Sequence, residues 1–141
     1  MLPNPAPSLV RTEITDRLRT HGIAPTHQRV EIANVLFSRC EHLSADQILA
    51  AVNSRHSETS KATVYNTLKL FLEKGLVREV IVDPSKVFYD PNTQPHHHFY
   101  NIESGELTDI PAASLQVAVI PAMPAGMVAE RIDVIVRIRP Q

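Results

Sequence analysis

Eleven prolines punctuate the 141 residues, and seven of them lie beyond residue 83. A proline inside a helix removes a hydrogen bond and clashes with the preceding turn, at a cost of about 3 kcal/mol. Long helices are therefore expected in the first half alone, with short strands and turns in the second. Two halves with different work follow from that asymmetry. Pro3, Pro5 and Pro7 make the extreme N-terminus a stiff, non-helical arm.

Composition narrows the class. Hydrophobic residues make up 43% and charged residues 21%, which is globular rather than disordered. A net charge of -1 argues against a non-specific nucleic-acid coat, although a local basic patch matters more than the total. No apolar run approaches the roughly 18 residues of a membrane span, and MLPNPAPSLV lacks the form of a signal peptide. A cytoplasmic protein with no membrane partner is expected. The single Cys40 excludes an internal disulfide and any zinc site of two or more thiolates within one chain.

From Ser8, apolar residues Leu9, Val10, Ile14 and Leu18 recur at helical spacing, with Gly22 as a stop. Pro25-Thr26 opens a second helix with Val30, Ile32, Ala33, Leu36 and Phe37 apolar. Ser44-Ala-Asp-Gln47 has the form of a capping box ahead of a third helix, with Ile48, Leu49 and Val52 turned inward. Ser60 or Thr59 caps a fourth helix whose stripe is Val64, Leu68, Phe71 and Leu72, ending at Gly75. LVREVIV and KVFYD, joined by Asp83-Pro84-Ser85, read as a β-hairpin. Helices followed by a hairpin is the order of a winged helix-turn-helix, an order that other small α+β domains share.

Away from the fourth helix's apolar stripe lie Lys61, Thr63, Tyr65, Asn66 and Lys69. Thr, Tyr and Asn can touch base edges, and Lys can meet phosphate. A recognition helix offers its N-terminal residues to the major groove in this way. A solvated helix face would show a similar mixture. Arg29 is a further candidate for the DNA backbone, or for pairing with Glu31 or Glu41.

The second half begins with His96-His97-His98 and continues through GELTDI. On a strand, His96 and His98 point one way and His97 the other. Together with His42, Asp90 and Asp109 they could form a cluster suited to Fe(II), Mn(II) or Zn(II). A solvated loop with a turn at Asp90-Pro91-Asn92 is the plainer alternative. Near the C-terminus, Ile132, Val134, Val136 and Ile138 alternate with polar residues and predict a half-buried strand. Two or three strands cannot enclose a core alone, so pairing with a second copy is expected, which would also supply two recognition helices for a two-fold operator.

The segments GIAPTHQRVEIANVL, EHLSADQI and KATVYNTLKLFLEKGLV resemble the DNA-binding domain of the ferric uptake regulator family. HHHF and GELTDI resemble the start of that family's dimerisation domain. Within the family the chain is most similar to the iron response regulators, from the His triplet and the ending IDVIVRIR, and to peroxide regulator-like members. The resemblance implies an α+β fold, with a winged-helix DNA-binding domain over residues 1–90 and a small α/β dimerisation and ligand-sensing domain over 91–141. It implies a regulatory metal site of His42, Asp90, His96, His98 and Asp109. The chain departs from the family where two Cys-x-x-Cys pairs often hold a structural zinc. Asn101 and Ser104 occupy the first pair's positions, no second pair exists, and Pro95 stands where a ligand of another site is expected.

The expected function is a homodimeric, metal- or haem-responsive repressor of iron, haem or oxidative-stress genes, binding a palindromic double-stranded operator through the major groove. The haem candidates are His96, His97 and His98, since Cys40 is followed by Glu41 and the Cys-Pro haem motif is absent. A peroxide sensor using Fe(II) in the same site is the alternative within the family. A small His/carboxylate metalloenzyme, with Glu103 or Glu106 as acid or base, is the alternative from another class, though an enzyme is not expected.

Overall fold

The computed structural model describes residues 11–38, 42–56 and 58–141, with the backbone alone at 55 and 56. Leu9, Val10, the proline arm and Cys40 lie outside the described residues. The chain divides into two compact units, one ending at Thr93 and the other spanning Gln94–Gln141.

The first unit carries four helices and a hairpin. Helix α1 (Arg11–Thr20) buries Ile14 and Leu18, one turn apart on one face. Gly22 then takes a φ of 74°, and the Ile23 N–H bonds back to the Leu18 carbonyl at 2.9 Å. That left-handed position strains any residue with a Cβ, so the glycine ends the helix. Helix α2 (His27–Ser38) starts at Thr26, whose carbonyl accepts from the Val30 N–H at 3.0 Å. It buries Val30, Ile32, Ala33 and Leu36. Phe37 is only partly buried, and the Arg17 guanidinium lies 4.7 Å from its ring centroid.

Helix α3 (Ala45–His56) has the reciprocal cap that its sequence announces. The Gln47 N–H donates to Ser44 Oγ at 3.3 Å, and the Ser44 N–H donates to Gln47 Oε1 at 2.9 Å. Helix α4 (Lys61–Glu73) is capped by Ser60, whose Oγ accepts from the Thr63 N–H at 3.1 Å. Its buried face is Val64, Thr67, Leu68 and Phe71, with Leu72 at the margin. All four helices contribute to one apolar cluster, which Leu43, Leu76, Val77 and Tyr89 complete. Strands β1 (Arg78–Asp83) and β2 (Lys86–Asp90) form the antiparallel wing, its turn closed by Asp83 Oδ1 accepting from the Ser85 N–H at 2.8 Å.

The second unit is a three-stranded sheet. Strand β3 (His97–Asn101) is central, antiparallel to β4 (Leu107–Ile110) and parallel to β5 (Ile135–Ile138). The turn from β3 to β4 is held by side-chain oxygens. Asn101 Oδ1 accepts from the Glu103 and Ser104 N–H groups at 3.0 and 3.1 Å, and Ser104 Oγ accepts from the Glu106 N–H at 3.2 Å. A single 3-10 turn at Ala112–Ser114 is the only helical structure among the described residues of this unit.

The C-terminal strand differs from its expected form. Alternation predicts a strand from Ile132, yet β5 begins at Ile135, and Ile132 is exposed. The Val134 N–H donates to His97 Nδ1 at 3.1 Å, so that donor is taken by a side chain of β3 rather than by a backbone partner. Nor is the apolar face of β5 buried, for Ile138 is 38% exposed. Tyr100, Leu107 and Ile110 are the buried hydrophobic residues described in this unit, whereas Val119, Ile120, Met127 and Val128 are exposed. So thin a core leaves this sheet in need of further cover.

In urea unfolding, Ser44→Ala is expected to destabilise the protein by about 1 kcal/mol through loss of the cap. Phe71→Ala should cost about 3–5 kcal/mol, as for a fully buried aromatic. Comparable losses at the two positions would contradict the packing described.

Candidate metal centre and helix face

Two sets of ligand side chains are built, one in each unit. In the first unit the Tyr89 N–H donates to the Leu43 carbonyl at 2.8 Å, an isolated antiparallel bridge between the segment before α3 and strand β2. The next residue on each side of that bridge is His42 or Asp90, and His42 Nε2 lies 3.1 Å from Asp90 Oδ2. Both side chains are nearly buried, at 8% and 4% exposure. The other carboxylate oxygen, Asp90 Oδ1, accepts from the Asn92 N–H at 2.9 Å, which fixes the carboxylate plane. The neighbouring Tyr89 phenol is pushed above its ordinary pKa, first by burial and then by Glu79 and Tyr65, so it stays neutral.

In the second unit, the β3–β4 register sets His98 opposite Asp109. Asp109 Oδ1 lies 3.2 Å from His96 Nε2 and 3.3 Å from His98 Nε2. The two imidazole centroids are 4.5 Å apart, and both rings are buried. His96 Nδ1 sits 2.6 Å from the Gln94 carbonyl. A carbonyl can only accept, so Nδ1 carries the proton and the neutral ring has its lone pair on Nε2. In the neutral form that lone pair can ligate a cation shared with the Asp109 carboxylate, and in the protonated form the Nε2–H donates to Asp109 Oδ1 as an ion pair. The ligand atoms of His96, His98 and Asp109 all lie within 4.8 Å of one another, and the group could hold a divalent metal ion.

His97 stands apart from this set, as the strand period requires. Its Nδ1 accepts from Val134, so its proton is on Nε2. Ligation of haem iron through Nε2 would have to displace that proton or the Val134 contact. Glu103 and Glu106, the acid or base candidates of an enzyme, are exposed on the β3–β4 turn.

On α4, Lys61, Tyr65, Asn66 and Lys69 are exposed and share the surface opposite the buried stripe. Lys61 Nζ lies 5.7 Å from the Tyr65 ring centroid and 3.9 Å from Asp46 Oδ1. Thr63 is half-buried, with Oγ1 2.9 Å from Ser60 Oγ. The Arg29 guanidinium donates to the Ala24 carbonyl at 3.0 Å, and it is Arg11 that pairs with Glu31, at 3.1 Å. Arg29 also lines a cleft of ≈ 500 Å³ with Thr26 and Gln28 on one side and Thr63, Asn66, Thr67 and Leu70 on the other. Three contributors carried no distinct sequence signal: the Gln94 carbonyl, Gln28 in the cleft, and Val134.

A sequence profile described as the ferric uptake regulator family matches residues 20–122. The peroxide-responsive repressor PerR of Staphylococcus epidermidis is 35% identical over 92 residues, which are 65% of this chain and 61% of that protein. The chain thus spans about three-fifths of that relative's length. The solved structure of the ferric uptake regulator from Pseudomonas aeruginosa with manganese matches with a TM-score of 0.66 at 22% identity, over 94% of this chain and 99% of that one. A structure of PerR from Streptococcus pyogenes, described in terms of peroxide sensing and gene regulation, matches with a TM-score of 0.51 at 27% identity, over 77% and 74%. The fold is that of these winged-helix regulators, and the profile covers most of the chain: it belongs to the ferric uptake regulator family.

Proposed function

We propose that this chain is a metal-responsive DNA-binding transcriptional repressor acting on iron, haem or oxidative-stress genes. The observation that carries the reading is the convergence of the His96 and His98 imidazoles on Asp109 Oδ1, at 3.2 and 3.3 Å, a nitrogen and oxygen donor set that suits a divalent cation. The two ligand sets complete one another in this proposal. His42 and Asp90 supply one imidazole and one carboxylate, and His96, His98 and Asp109 supply two imidazoles and another carboxylate. Either set alone leaves an ion short of the four to six ligands it ordinarily takes. A shared Fe(II), Mn(II) or Zn(II) ion would favour one arrangement of the two units over others, and so bias DNA affinity. No helix among the described residues is long and apolar enough to cross a membrane, and a cytoplasmic site of action goes with the proposal.

DNA recognition is assigned to the α4 face, with Tyr65, Asn66 and Thr63 at bases and Arg29, Lys61 and Lys69 at phosphates. A homodimer formed through the second unit, residues 91–141, would present two such helices, from domains ending near residue 90, to a palindrome. The exposed apolar residues Val119, Met127 and Val128 support that role. Peroxide sensing by Fe(II) in the same site is a second reading, favoured by the similarity to the staphylococcal peroxide-responsive repressor. Haem is less favoured, because His97 is engaged with Val134.

Gel-shift titrations on iron- and haem-linked promoters should show DNA affinity that changes with Mn(II) or Fe(II). Peroxide treatment of the Fe(II) form tests the second reading, and haemin tests the third. Affinity indifferent to every one of these ligands would sink the metal-responsive reading. Tyr65→Ala and Asn66→Ala should each weaken specific binding by about 1–3 kcal/mol. Lys61→Ala should weaken specific and non-specific binding alike.

In competition titrations, His96→Ala or His98→Ala should remove most Mn(II) affinity, and Cys40→Ser should leave it intact. Affinity should fall as the pH drops below about 6, because protons compete for the imidazole nitrogens. Unchanged affinity in both His variants would place the site elsewhere. Sedimentation at low micromolar concentration should give a dimer, and deletion of residues 132–141 should abolish it. A monomer that still holds a palindrome tightly would overturn the dimer.

A further inference from the structure

We infer that His97 is a positioning residue, a latch that ties the edge strand β5 to the strand carrying the metal ligands. The inference rests on the metal-responsive reading of His96, His98 and Asp109. Val134 is gripped at both of its backbone groups by two consecutive histidines. Its carbonyl accepts from the His98 N–H at 3.2 Å, and its N–H donates to His97 Nδ1 at 3.1 Å. The next residue, Ile135, is the register partner of His98 and the first residue of β5. The His98 imidazole, on the opposite face of β3 from His97, lies 3.3 Å from Asp109 Oδ1.

The geometry has a mechanical meaning. His97 and His98 are consecutive on β3, so one backbone segment carries both the ring that faces Asp109 and the acceptor that holds Val134. A ligand that holds the His98 ring orders that shared segment, and with it the backbone from which His97 reaches Val134. Occupancy of the ligand face and order at the start of β5 are then two readings of one backbone segment. The link is a neutral hydrogen bond of ordinary length, so its net strength is modest and its removal should shift an equilibrium rather than unfold the sheet. His97 thus has a task that needs no ligand of its own.

The test compares wild type with His97→Asn and His97→Ala in the full chain. The Asn Oδ1 falls near the place of His Nδ1 and keeps an acceptor, whereas Ala keeps none. Without metal, NMR-detected exchange of the Val134 amide should be roughly two- to tenfold faster in H97A, with H97N close to wild type. Diamagnetic Zn(II) is the metal probe. It should slow Val134 exchange in wild type and H97N, and slow it far less in H97A, while all three bind the same number of ions. Equal exchange in wild type and H97A, or H97N as fast as H97A, would overturn the latch. Zn(II) that binds wild type and leaves Val134 exchange unchanged would overturn the coupling. If H97A fails to fold, the imidazole ¹⁵N shifts of wild-type His97 decide: an Nε2–H tautomer supports the latch, and a proton on Nδ1 overturns it. Wild type that binds no Zn(II) would count against both the metal reading and the coupling, and the metal-free comparison would still judge the latch by itself.

Discussion

Three successive histidines on a strand must be divided between its two faces, and the second unit is organised around that division. The period of two sends His98 toward Asp109 and His97 toward Val134. Because β3 is the central strand, it has a neighbour on each edge: β4 brings the carboxylate, and Val134, just ahead of β5, brings a backbone donor. Reversal of the register by one residue would exchange the two roles and bury the wrong imidazole. The antiparallel pairing of His98 with Asp109 is therefore the contact on which the ligand geometry of this unit depends.

The first unit solves a related problem by other means. His42 lies outside any helix or strand, and a histidine in a connecting segment has many orientations available. A single backbone bond, from Tyr89 to Leu43, ties that segment to the wing. The buried Leu43 and Tyr89 side chains then anchor both partners in the helical core. Hydrophobic packing thus sets the position of a polar pair whose members are themselves nearly buried. The neutral Tyr89 phenol adds no charge beside them.

Much of this was legible in the sequence. The capping box at Ser44–Gln47, the glycine stops and the hairpin turn each have local causes, and each emerged where its residues stood. The alternation of His96, His97 and His98 was equally local. What could not be read was non-local. Nothing in the run IDVIVRIR says that Val134 gives its N–H to a histidine 37 residues away, or that the strand is shorter than its alternation. The Gln94 carbonyl that sets the His96 tautomer belongs to the backbone, to which composition and motif are blind. The distribution of exposed apolar residues in the second unit was foreshadowed only by the thinness of its strands.

The turn between β3 and β4 has a bearing on how such a protein withstands chemical stress. The family resemblance places at this corner a Cys-x-x-Cys pair of the kind that often holds a structural zinc; here the oxygens of Asn101 and Ser104 receive the same chain's N–H groups directly. An amide and a hydroxyl neither oxidise under peroxide nor surrender to a chelator. Scarcity of zinc, or a burst of oxidant, therefore has nothing to dismantle at this corner. A cell could let the imidazole–carboxylate cluster respond to its surroundings while the scaffold around it keeps its shape.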